Sequence, residues 1–181
     1  RMQEGTRAFL QMVKITEAVV AHKAARLPYL VYLRHPTTGG VFASWGSLGH
    51  ITVAQTGALV GFLGPKVYRA LRGTDFPPGV QTAENLFAHG IVDAVLDAER
   101  LRHVAGEALA IIAARGGAGV REPEPAITDV PDAWTSIGIS RRSGRPGLRS
   151  LLRHAASATV ALSGTGQGET TKSSVVSLAT I

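Results

Sequence analysis

The chain has 181 residues, 45% hydrophobic and 18% charged, a balance found in folded domains rather than in disordered segments. It holds no cysteine, which excludes a disulfide framework or a thiolate zinc site within these residues. A formal net charge of +6 suits phosphate groups or an acidic partner, but an aromatic content of 6% and the lack of a stacking module argue against nucleic acid.

No run approaches the roughly 20 apolar residues of a membrane span, and Arg1–Gly5 opens no signal peptide. No membrane partner and a cytoplasmic location are therefore expected. Residues 3–26 read as an amphipathic helix, with Phe9, Met12, Val13, Thr16, Val19 and Val20 at three- and four-residue spacing, ended by Pro28. Tyr29 to Leu33 is expected to be a buried strand, followed by a turn over Pro36–Gly40. Ile51–Ala54 and Ala58–Phe62 read as strands, Gly64-Pro65 as a helix start, and Gly79–Gly90 as a short helix closed by glycine. Ile91–Val95 then reads as a strand. Residues 97–115 give the clearest helix, with Leu101, Val104, Ala105, Ala108, Leu109 and Ile112 on one face. Alternating strands and helices predict an α/β fold up to about residue 115. The glycine run from Gly116 and Pro123, Pro125 and Pro131 predict a linker over 116–132. A second segment over 133–181 would hold a helix at Leu148–Ala156 and a strand at Val175–Ile181.

Pro36-Thr37-Thr38-Gly39-Gly40-Val41 is the strongest local chemical signal. Consecutive glycines leave backbone N–H groups uncovered, and amides aimed at one point can hold a developing oxyanion; a plain tight turn is the alternative. A helix over Phe42–Leu48 would add its dipole. The six histidines, His22, His35, His50, His89, His103 and His154, fit no metal spacing, and structural or surface roles are expected. Ser44-Trp45-Gly46-Ser47 is not a Gly-x-Ser-x-Gly elbow. Gly164–Gly168 lacks the Gly-Lys-Ser/Thr ending of a phosphate loop and reads as a plain loop. Five arginines fall between residues 141 and 153 with no acid among them.

Several motifs stand in one register: Arg1–Gly5, Leu27-Pro28-Tyr29, His35–Val41, Leu48-Gly49, Gly61–Val67, Pro77–Glu84 and His89–Asp93. Together they resemble the β-type carboxyltransferase subunit of bacterial acetyl-CoA carboxylase over residues 1–115. Ala133–Ile137 with Ser140-Arg141-Arg142 and Arg145-Pro146 resembles the start of the α-type subunit, as in a fused β–α carboxyltransferase. The resemblance implies a crotonase-like (ClpP/crotonase) ββα superhelix, incomplete at both ends, divided into 1–115, a linker over 116–132, and 133–181. It implies transfer of a carboxyl group from biotin on a carrier protein to acetyl-CoA, giving malonyl-CoA for fatty acid synthesis, with no metal in this chain. Gly39 and Gly40 would donate to the enolate oxygen, and Thr37, Thr38, Val41, Gly61 and Gly64 would line the substrate pocket. Implied partners are the biotin carboxyl carrier protein, biotin carboxylase, the α-type domain and a second copy of the chain.

These residues hold none of the cysteine-ligated zinc ribbon with which the family usually begins, and the pattern departs in two places: His50 stands where Asp is usual, and Gln55-Thr56 replaces Glu-Pro. The competing readings are an inactive remnant or assembly module, and another crotonase-like enzyme such as a decarboxylase or hydratase. A hydratase would want paired carboxylates, and residues 35–65 offer no convincing pair.

Overall fold

The computed structural model describes residues 4–114, 131–162 and 176–180. The Gly164–Gly168 loop and most of the expected linker lie outside these residues. The expected α/β class holds as a mixed fold built on parallel sheets. Three strands, β1 (Leu30–Leu33), β3 (Ile51–Gln55) and β5 (Ala94–Leu96), form a parallel sheet in the order β1-β3-β5. The register pairs Leu30 with Ile51 and Val53 with Ala94. Two short strands, β2 (Thr37–Thr38) and β4 (Val60–Gly61), form a second parallel ladder. An antiparallel pair, β6 (Ala158–Leu162) and β7 (Val176–Thr180), follows later in the chain.

The three-stranded sheet is apolar on both faces because its residues alternate sides with period two. On one face Val31, Leu33, Ala54 and Val95 join Phe42, Ala58, Val60, Ala83, Leu86 and Val92 in one core. On the other, Leu30, Tyr32, Ile51, Val53, Ala94 and Leu96 meet Leu101, Val104, Ala108 and Ile111, and also Val160, Leu162 and Leu178. The β6–β7 pair therefore shares a core with the first half of the chain.

Local chemistry explains most helix limits. Helix α1 runs Thr6–Ala24, and Arg26 adopts φ 60, the left-handed region, before Pro28. Helix α2 (Pro65–Arg72) starts on proline and stops at left-handed Gly73. Helix α3 is only Ala83–Ala88, shorter than Gly79–Gly90, because Thr82 caps it by accepting the Asn85 N–H. Helix α4 spans Ala98–Ala114. Asp132 caps helix α5 (Ala133–Ser140) through the N–H groups of Trp134 and Thr135, and the Thr135 hydroxyl bond is the main force holding its carboxyl below the usual range. Helix α6 is Leu148–Ala155.

Other expectations need correction. The Phe42–Leu48 helix does not form; turns and a 3-10 segment at Trp45–Ser47 take its place. Thr37 and Thr38 are strand rather than turn, because Thr37 donates to Leu59 O at 2.9 Å. The fifth strand starts at Ala94 instead of Ile91. Asp93 closes the ladder ahead of it, its carboxylate taking the Thr52 N–H at 2.8 Å and its N–H donating to Thr52 O at 2.7 Å. Helix α4 keeps most of its expected face, with Leu101, Val104, Ala105, Ala108 and Ile112 covered, but Ile111 is 3% exposed where Leu109, 41% exposed, is expected to turn inward. Sequence reading did not anticipate α5 or β6.

Candidate active site

The glycine turn lies where β2 leaves its ladder. Thr37 and Thr38 pair with Val60 and Gly61, and the Gly39 N–H extends the ladder by donating to Gly61 O at 3.1 Å. Gly39 then turns away at φ 65, a conformation that favours glycine. The chain folds back at once: Ala43 donates to Gly39 O at 3.0 Å, and the Ser44 hydroxyl donates to Gly40 O. Buried Gly46 donates to Val41 O at 2.9 Å, where a side chain would press on that carbonyl. Phe42, fully buried, packs against Phe62 with ring centroids 4.8 Å apart.

The two glycines are therefore not equivalent. The Gly39 N–H is engaged by Gly61, while the Gly40 N–H has no hydrogen-bond partner among the described residues. The nearest neighbour of Gly40 is the Met12 thioether of α1; a Cβ on Gly40 would lie 2.7 Å from its sulfur. Beside this point Phe9, Met12, Val13, Thr16, Glu17, Val20 and Ser44 line an open, mostly apolar depression of about 480 Å³.

The other expected pocket residues separate into two groups. Thr37, Thr38 and Val41 adjoin the turn, and Val41 is exposed. Gly61 is buried and acts as support: a Cβ there would sit 2.5 Å from Gln81 Cδ. Gly64 caps α2, three residues beyond β4, and no atom crowds it.

Gln81 is a residue that sequence reasoning quoted without giving it a role. Its carbonyl accepts the Val60 N–H at 3.0 Å, and its side-chain amide donates to Leu63 O at 2.7 Å. It thus clamps both sides of Gly61, whose carbonyl holds Gly39. Its buried Oε1 has no hydrogen-bond partner among the described residues. No sequence signal marks this clamp, because it depends on residues 18 or more positions apart.

The histidines mostly serve the backbone. His35 Nδ1 accepts the Leu59 N–H at 3.1 Å, and Gln55 Oε1 accepts the His35 N–H at 3.2 Å. His50 Nδ1 accepts the Tyr29 N–H at 3.0 Å while the His50 N–H returns to Tyr29 O at 2.8 Å. Positions 50 and 55, the departures from the family pattern, thus hold strand ends. Desolvation first, then the charges of Lys23 and His22, pull the His50 pKa below its ordinary value. Lys23 Nζ donates to Leu48 O at 2.7 Å, fastening the end of α1 next to this group. Among the described residues no group of three His, Cys, Asp or Glu side chains is placed to hold a metal, and no helix is long and apolar enough to cross a membrane.

An unpaired amide beside an apolar depression, on a turn braced by a parallel ladder, suits an acyl-oxygen contact. Comparison with known proteins decides the family: the carboxyl transferase domain matches residues 1–114. The chain belongs to the carboxyl transferase domain family. It is 61% identical over 175 residues to a probable biotin-dependent acyl-coenzyme A carboxylase beta3 subunit of Mycobacterium tuberculosis, covering 93% of this chain and 34% of that protein. It is 46% identical over 102 residues to an acetyl-coenzyme A carboxylase carboxyl transferase subunit beta of Opitutus terrae, covering 56% of this chain and 35% of the relative. A Salinispora tropica protein named carboxyl transferase subunits beta/alpha is 36% identical over 178 residues, covering 91% of this chain and 31% of that one. The chain spans about a third of the length of these relatives.

Proposed function

We propose that the chain forms one wall of the carboxyltransferase site of a biotin-dependent acyl-CoA carboxylase. The observation that carries this reading is the unpaired Gly40 N–H beside an apolar depression, in a chain of the carboxyl transferase family. The carboxyl donor, N-carboxylated biotin on a carrier protein, supplies an electrophilic carbon. This chain's share is to stabilise the acyl-CoA enolate. The α-proton would pass to the biotin nitrogen that gives up the carboxyl group; the negative charge this moves to the thioester oxygen is met by the Gly40 N–H. A fixed donor of this kind is worth about 2.7–4 kcal/mol of barrier when the site excludes water. Gly39, its own N–H engaged, sets the angle of Gly40. Thr37, Thr38 and Val41 would flank the acyl group, Gly61 and Gln81 would hold the turn from behind, and Gly64 would start the next helix.

The finer reading takes acetyl-CoA as substrate and malonyl-CoA as product, feeding fatty acid synthesis. Its partners are a biotin carrier protein, biotin carboxylase, an α-type domain and a second copy of the chain. The chain order β1-β2, β3-β4-α2, β5-α4, with one parallel sheet and one smaller ladder, supports a crotonase-like superhelix. The fused β–α division at 116–132 rests on the resemblance of residues 133–146 alone, and a likeness to a beta3 subunit over 93% of the chain gives it no support. A β6–β7 pair sharing a core with α4 speaks for one continuous unit instead.

The test is malonyl-CoA-dependent carboxylation of free biotin by this chain mixed with an α-type domain. Gly40→Pro, which removes the N–H, is expected to lower turnover about 10²–10³-fold. Gly40→Ala keeps the N–H and displaces only the flexible Met12 tip, so its loss should be mild. Equal activity in Gly40→Pro sinks the donor assignment. No activity in any folded mixture favours the assembly-module reading.

A further inference from the structure

The carboxyltransferase reading gives no role to the five arginines at 141, 142, 145, 149 and 153. From residue 133 to 162 there is no acidic residue, and none of the five pairs with a carboxylate among the described residues. Two lie one turn apart on α6, so Arg149 and Arg153 share a face and repel each other. Both line a groove of about 640 Å³ between α6 and the β6–β7 pair. This volume suits a small molecule, for which binding sites run about 300–1,000 Å³.

The floor of the groove follows from strand register. Ala161 stands opposite Ser177, and Thr159 lies two residues from Ala161, so all three share the outer face. Val160, Leu162 and Leu178 point the other way, into the core with α4. The groove therefore offers the hydroxyls of Thr159, Ser177 and Ser157 beneath two guanidinium groups. The Ser157 hydroxyl already donates to Thr180 O at 3.2 Å, and Arg153 Nε reaches Arg149 O at 3.4 Å, which leaves the guanidinium Nη groups available. Carbonyls at the C-terminal end of α6 oppose an anion here, and Arg153 and His154 in the last turn offset them.

We infer that this groove binds the phosphate or diphosphate group of a small-molecule ligand, gripped by Arg149 and Arg153. Guanidinium forks match phosphate oxygens two at a time, and neighbouring hydroxyls supply further donors. An anion there would also relieve the repulsion between the two arginines. This assignment stands apart from the carboxyl-transfer reading.

The experiment is isothermal titration of the full chain with inorganic pyrophosphate, with adenosine diphosphate as competitor. Saturable binding is expected, weakened about tenfold or more by Arg149→Gln or Arg153→Gln and changed little by the Arg142→Gln/Arg145→Gln control. Arg149→Lys keeps the charge and loses the fork, so it should also bind more weakly. Competition by adenosine diphosphate would identify a nucleotide as the source of the phosphates, and its absence a free phosphate. Equal losses in the control pair, with steep salt dependence, would reduce the effect to diffuse charge and overturn the site. So would no saturation by pyrophosphate, or binding only to vesicles containing anionic phosphatidylserine.

Discussion

Helices α1 and α4 are of similar length, 19 and 17 residues, and both carry an apolar stripe in sequence. Their surroundings differ. Helix α4 buries Ala108 and Ile111 between the three-stranded sheet and the β6–β7 pair. No residue of α1 is buried. Its half-covered stripe is Ala8, Met12, Thr16, Val19 and Lys23, while Phe9, Val13 and Val20 stay open beside the glycine turn. Helix α1 is fastened instead at its C-terminal end by polar contacts: Lys23 to Leu48 O and His22 to Pro28 O. Periodicity reports that a helix has an apolar face; it does not report that the same stretch of chain covers that face.

The largest effect expected from this contrast is on stability. Ile111→Ala should cost about 2–5 kcal/mol, the range for emptying a buried aliphatic site. Val13→Ala should stay within about 0.5 kcal/mol. Urea unfolding of both variants of this chain checks the pair, and equal costs would break the distinction between the helices.

A second, smaller effect sharpens what holds the glycine turn, if not α1. Gly61→Ala forces the Gln81 side chain aside and should destabilise by about 1–3 kcal/mol through overpacking. Hydrogen exchange at Gly39 should quicken, since its acceptor is the Gly61 carbonyl. Unchanged protection at Gly39 would remove Gln81 from the support of the turn.

The smallest effect is a pH dependence confined to α1. The folded His50 pKa lies below its ordinary value of 6.5, because desolvation, then the charges of Lys23 and His22, disfavour the imidazolium; the neutral Nδ1 accepts the Tyr29 N–H. A lowered histidine pKa means the contribution is present above about pH 6.5 and is lost as pH falls through the folded value. Exchange over Tyr29 and the end of α1 should quicken on acidification below pH 6.5, with α4 unaffected. His50→Ala should abolish that difference. An equal acid response in α4 would show a global rather than local event.

Much of this fold was legible in advance for local reasons. Residues 97–115 and the observed Ala98–Ala114 nearly coincide because a three- and four-residue apolar repeat fixes a helix from within. Pro65 and Gly73 set the limits of α2 in the same way. The site was legible only as a motif. Gly39 and Gly40 look alike in sequence, yet Gly61 engages one amide and leaves the other.

By itself, then, the sequence determined the α/β class, the positions of β1, β3 and α4, and the glycine pair at the end of β2. Only the tertiary structure decided that Ile111 rather than Leu109 turns inward, that α1 keeps an open face, and that Gln81 stands behind Gly61. It also decided that the β6–β7 pair completes the core beside α4. The physical reason is range: helix periodicity and capping act within about four residues, whereas these decisions rest on hydrogen bonds and packing between segments far apart in the chain.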